Sequence, residues 1–171
     1  ELQNVGSESV DLTGWMVGDD DEVDALVPRS AGMVLDPGGF ALILDSGYFD
    51  HSNAYDPLPS SALILTIEDA TFGKGGFQNE GSDRVLLVSA SGDTVESVAY
   101  SPGNAEGFSE EKIDPTGDIS AVNWADSRWK FGTPGRVNSV SPKNIDLSLV
   151  ARSVSPILVR SGESVRFQLT V

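Results

Sequence analysis

The chain has 171 residues and sets 11 Lys and Arg against 26 Asp and Glu, for a formal charge of −15. That balance opposes a nucleic-acid partner, whose phosphates need a basic footprint. With no cysteine, thiol catalysis, Cys-ligated zinc and disulfides are excluded, and no apolar run approaches the ~18 residues of a membrane helix.

The 18 Gly and 9 Pro supply abundant turn chemistry, and no window holds three turns of helical periodicity, so the expectation is all-β. No charged-then-apolar leader opens the sequence, and ELQN reads as the end of a strand. Val10, Leu12, Trp15 and Val17 then alternate like a half-buried strand. MVLDPGGFALILD predicts two short strands around a Pro37-Gly38-Gly39 turn. In FALIL both faces are apolar, so Phe40 to Leu44 is expected to be a central strand covered on each side.

A long polar loop with three aromatics, 45–61, follows, and loops of that length in compact domains are often functional. ALILTI (62–67) is the next buried strand, and EDATFGKGGFQNEGSD is Gly-rich and irregular. RVLLVS and TVESVAY then read as a hairpin across Ala90-Ser91-Gly92-Asp93. After Tyr100 the pattern is irregular, with Trp124 and Trp129 expected to lie across one end as a lid. Residues 140–144 read as a linker. Residues 145–171 read as the truncated start of a second β domain, too short to fold alone and suited to strand-mediated self-association.

Three stretches, ELQNVGSESVDLTGW, SGDTVESVAY and SEEKIDP…NWADSRWKFGTPGRVNS, together resemble the lamin tail domain in its bacterial branch. The resemblance covers roughly residues 1–139 and implies an immunoglobulin-like β-sandwich that serves as an accessory module in a large exported or cell-surface protein. Members usually carry one further strand about a dozen residues before the ELxN element, which implies either an open sheet edge here or a strand that lies outside this sequence. The animal members contact chromatin, but this chain shows no basic surface for that role. Its ending is similar to the start of an adhesion-type Ig-like repeat.

Few residues look like chemistry. His51 stands between Asp50 and Ser52, yet sequence neighbours do not make a triad, and no nucleophile elbow is present. Gly73-Lys74-Gly75-Gly76 lacks the remainder of a phosphate-binding loop, and the carboxylates sit in no glycosidase frame. The three Trp could stack on sugars, although Trp in a small β domain more often packs. The densest cluster of hard oxygen ligands is Asp19, Asp20, Asp21, Glu22 and Asp24, a candidate calcium site with Asp24 contributing only if the chain doubles back. The plainer alternative is a solvated turn whose charge discourages edge-to-edge association. Two functional expectations follow: a non-catalytic structural or interaction module, or a polysaccharide-binding module assisted by calcium. In either case the partner is an unidentified protein or polysaccharide.

Overall fold

The computed structural model describes residues 1–29, 32–78, 81 and 83–143, so the expected fragment 145–171 lies outside the described residues. The described chain is all-β, with one short helix and one short 3-10 turn. Its strands are β1 (Leu2–Gln3), β2 (Val10–Asp11), β3 (Met16–Gly18), β4 (Val23–Pro28), β5 (Val34–Leu35), β6 (Phe40–Ile43), β7 (Leu63–Ile67), β8 (Asp83–Val88), β9 (Thr94–Tyr100), β10 (Glu110–Lys112) and β11 (Trp124–Asp126). The helix, α1, is Tyr48–His51, and the 3-10 turn is Ala121–Asn123.

Seven strands form one mixed sheet in the order β1-β6-β7-β4-β3-β8-β9. β6 and β7 run parallel and the other neighbours antiparallel. Two further two-stranded ladders pair β2 with β5 and β10 with β11. β6 is an interior strand, second from one edge of the sheet rather than central, with Ala41 and Leu42 buried and with β1 and β7 as its neighbours. The hairpin expected over RVLLVS and TVESVAY is β8–β9, closed by Ser89 N–H to Asp93 O at 2.9 Å and carrying a bulge between Leu87 and Val88.

The alternating run 10–17 sets the faces correctly but is not one strand. Gly14, at φ +76°, turns the chain between β2 and β3, and Trp15 N–H closes that turn on Leu12 O at 3.0 Å. Leu12 and Val17 both still reach the core. The Pro37-Gly38-Gly39 turn forms, with Gly38 at φ +72° and Gly39 N–H bonded to Asp36 O at 2.9 Å. Its flanking strands do not pair with each other: β5 joins β2, and β6 joins β1 and β7.

The core gathers Leu12, Val17, Leu26, Leu35, Ala41, Leu65 and Ile67, with Trp15, Phe72 and Val85 packed against it. Leu12 and Leu65 are its largest fully enclosed side chains, each worth about 1.5–3 kcal/mol of burial. The two tryptophans expected to form a lid differ in exposure. Trp124 on β11 is half-buried, whereas Trp129 is 63% exposed and covers nothing. Where the linker is expected to begin, Ser139 and Ser141 are buried against β10.

Candidate functional site

The acidic run forms the turn of the β3–β4 hairpin. Gly18 pairs with Val23, and Asp19 N–H bonds Glu22 O at 2.9 Å, so the chain does double back. Only glycine fits at position 18, because a Cβ there would collide with the Glu22 carbonyl. Asp19 is buried at the turn's base. One of its carboxylate oxygens accepts the N–H groups of Asp21 and Glu22, both at 2.8 Å, and the other accepts Lys74 N–H at 3.0 Å. Burial pushes the Asp19 pKa up, but the N–H donors of Glu22, Asp21 and Lys74 outweigh it and hold the group below the ordinary aspartate range.

Residues 69–76 fold back over this hairpin. Gly73 N–H donates to the buried Asp24 carboxylate at 2.7 Å, and Gly73 at φ +55° sits where any Cβ would meet the Asp19 carboxylate. The Gly-Lys-Gly-Gly segment is thus the strap that two aspartates hold, which explains Gly73 without any phosphate.

Of the five candidate ligands, the structure brings Glu22 and Asp24 together and directs Asp19 to backbone donors. Asp20 and Asp21 are exposed on the turn. The third carboxylate beside Glu22 and Asp24 is Asp69, and one oxygen of each lies within 4.8 Å of the others. Sequence reading missed Asp69 because it arrives from β7. The signal lay in the ladder: Leu26 faces Ile67, and Glu68 N–H bonds Ala25 O at 3.0 Å, so Asp69 follows opposite Asp24. Three carboxylates with two exposed members suit a hard divalent cation of the calcium class, with water completing its six to eight ligands.

His51 ends α1 and is exposed, while Ser52 Oγ accepts Ala54 N–H at 3.3 Å. The 45–61 loop is organised around Tyr48 instead. Its hydroxyl accepts Tyr55 N–H at 3.0 Å and donates to Asp56 at 3.1 Å, and its ring stacks on Tyr55 at 5.7 Å. Arg29 lies over Phe49 at 4.2 Å and ties the loop to the end of β4.

A second buried carboxylate centre organises the region after β9. Glu111, 5% exposed on β10, accepts Thr133 Oγ1–H at 2.8 Å, Ser139 N–H at 2.8 Å and Ser139 Oγ–H at 2.6 Å. Ser139 Oγ in turn accepts Arg128 N–H at 2.7 Å. One carboxylate therefore anchors both ends of the segment 128–139. Within that segment Phe131 N–H donates to Gly107 O at 2.6 Å, Gly132 N–H to Trp129 O at 3.0 Å, and Ser127 Oγ–H to Trp129 O at 2.9 Å. A groove of about 1070 Å³, with Trp15, Val98, Trp124 and Phe131 among its walls, separates this region from the large sheet.

No known protein-family profile, curated protein or solved structure matches this chain.

Proposed function

We propose that this chain is a non-catalytic interaction module of a larger exported or cell-surface protein, with an immunoglobulin-like sandwich of the lamin-tail kind. The observation that carries the reading is the use made of the buried carboxylates. Asp19, Asp24 and Glu111 direct their oxygens to backbone N–H and hydroxyl donors of neighbouring loops. A carboxylate that accepts such donors clamps the backbone segments that supply them. These acids fix loop geometry, which is what a binding scaffold requires.

The test is retention. Fused to a fluorescent protein, the chain should bind washed cells of the organism that encodes it, above the level of the fluorescent protein alone. Absence of retention, or turnover of ester, phosphate or glycoside substrates that Glu111→Gln abolishes, would sink the proposal.

The polysaccharide reading has one specific observation in its favour, the 63% exposure of Trp129 on a fixed turn. Calcium assistance, if it operates, resides in Glu22, Asp24 and Asp69 rather than in the consecutive run alone.

A further inference from the structure

We infer that the turn 128–132, with Arg136 beside it in sequence, is a docking surface for a polysaccharide whose rings carry carboxylates, a polyuronate. This rests on the interaction-module reading and names its ligand class and its contact.

The order along the turn is Arg128, Trp129, Lys130, Phe131. Trp129 is 63% and Phe131 45% exposed, and all three cations are exposed as well. What sets this turn apart from the other exposed apolar residues is its backbone. Phe131, at φ +69°, is the one non-glycine residue with a positive φ among the described residues. A bulky residue adopts that conformation only where its surroundings impose it. The surroundings are explicit: the hydrogen bonds from Phe131 to Gly107 and from Gly132 to Trp129, the Ser127 hydroxyl, and the Glu111 anchor beneath. Gly132 allows the close approach, because a Cβ there would lie 2.6 Å from Ser109 Oγ. An aromatic side chain on a backbone held in this way loses less freedom on binding.

Charge supplies the ligand class. In a chain with 26 acids, the one ion pair among the described residues joins Lys112 to Glu96. Arg128, Lys130 and Arg136 therefore offer positive charge that no described carboxylate neutralises. Arg128 and Lys130 flank Trp129 in sequence, and the Lys130 ammonium lies 5.5 Å from the Phe131 ring, so the fitting ligand carries an apolar face and a carboxylate on one unit. A uronic acid does: its C–H face covers an indole while its carboxylate meets Arg or Lys. Acidic peptide side chains have the charge without that face. The net charge of −15 opposes a polyanion inside the ~8–10 Å screening length and is screened beyond it, so the ligand must be held by short-range contact of a few rings with the local cations.

Indole N–H resonances test this directly, since the three tryptophans give three signals and Trp129→Phe assigns one. Titration with galacturonate oligomers should move the Trp129 signal saturably at millimolar ligand and leave Trp15 and Trp124 in place. Binding should weaken roughly tenfold or more in Trp129→Ala and in the Arg128→Gln/Lys130→Gln/Arg136→Gln variant, and also with methyl-esterified oligomers of the same sugar. Unmoved Trp15 and Trp124 signals in the variants certify folding. The inference is overturned by an unmoved Trp129 signal or by affinity that survives Trp129→Ala. Equal affinity for the methyl ester would mean a neutral-sugar platform, and equal or tighter binding of polyglutamate would mean an acidic protein partner. Retention on cells that persists while the oligomers fail removes the polyuronate and keeps the module; loss of both removes both.

Discussion

At the scale of single residues, the carboxylates divide into those that hold the backbone and those that face water. Asp19 belongs to the first group, and its depressed pKa makes stability depend on pH with a definite sign. A group whose folded pKa lies below its unfolded value contributes stability that is complete above the unfolded value, ~3.9 for aspartate. That contribution is lost as the pH falls through the folded value. Urea midpoints measured from about pH 5 downward should therefore fall less steeply in Asp19→Asn than in the parent chain. The variant should also be less stable at neutral pH, since an amide keeps only one acceptor oxygen for three backbone donors. Glu22, Asp24 and Asp69 form the group that a cation would use. If they bind calcium, millimolar metal should raise the melting temperature, by about 2.7 kcal/mol of stabilisation at a hundredfold excess over the dissociation constant. Asp69→Asn should cancel the rise, while Asp20→Asn leaves it intact; a rise unaffected by Asp69→Asn would place calcium elsewhere.

At the scale of elements, what the sequence made legible were the strands whose residues carry the signal within themselves. FALI, LILTI and the β8–β9 hairpin appear where alternation, apolar runs and a Ser-Gly-Asp turn put them. The partnership of β5 with β2 was not legible, because pairing is decided by the packing of distant segments and leaves no local pattern. Asp69 escaped for the same reason: its place beside Asp24 exists only once β4 and β7 are in register. The role of the Gly-Lys-Gly-Gly strap likewise depends on acids some fifty positions upstream, as the separation of 55 between Asp19 and Lys74 shows. Two glycines separate local from tertiary demands. Gly92 has φ +89° and open space around it, so Gly92→Ala should cost only the left-handed backbone penalty, about 1 kcal/mol. Gly73→Ala adds a collision with the Asp19 carboxylate and should cost about 1–3 kcal/mol more as the strap lifts. Denaturant titration of the pair gives the comparison, and equal costs would mean that the strap yields freely.

At the scale of the whole molecule, the charge of −15 acts on every residue at once. Self-repulsion of the folded state weakens as salt screens it. The midpoint of urea unfolding should rise between low salt and about 0.5 M sodium chloride, where the screening length falls below ~5 Å. A midpoint that falls would mean that local attractions such as Lys112–Glu96 outweigh the global repulsion, contrary to the small worth of a partly exposed pair, about 0–1 kcal/mol.

The parallel pairing of β6 with β7 sets an order of events in time. β8 and β9 are joined by a short turn and can zip locally, whereas β6 meets β7 only after residues 44–62 have closed into a loop. Loop closure is an entropic cost incurred before the contact returns anything, so pairings of this kind form late. In pulse-labelled refolding, the amides of β8 and β9 should gain protection before those of β6 and β7. The hydrophobic centre of the sheet would then be the last part to close, leaving Ala41, Leu42 and Leu65 open to misassociation in the interval.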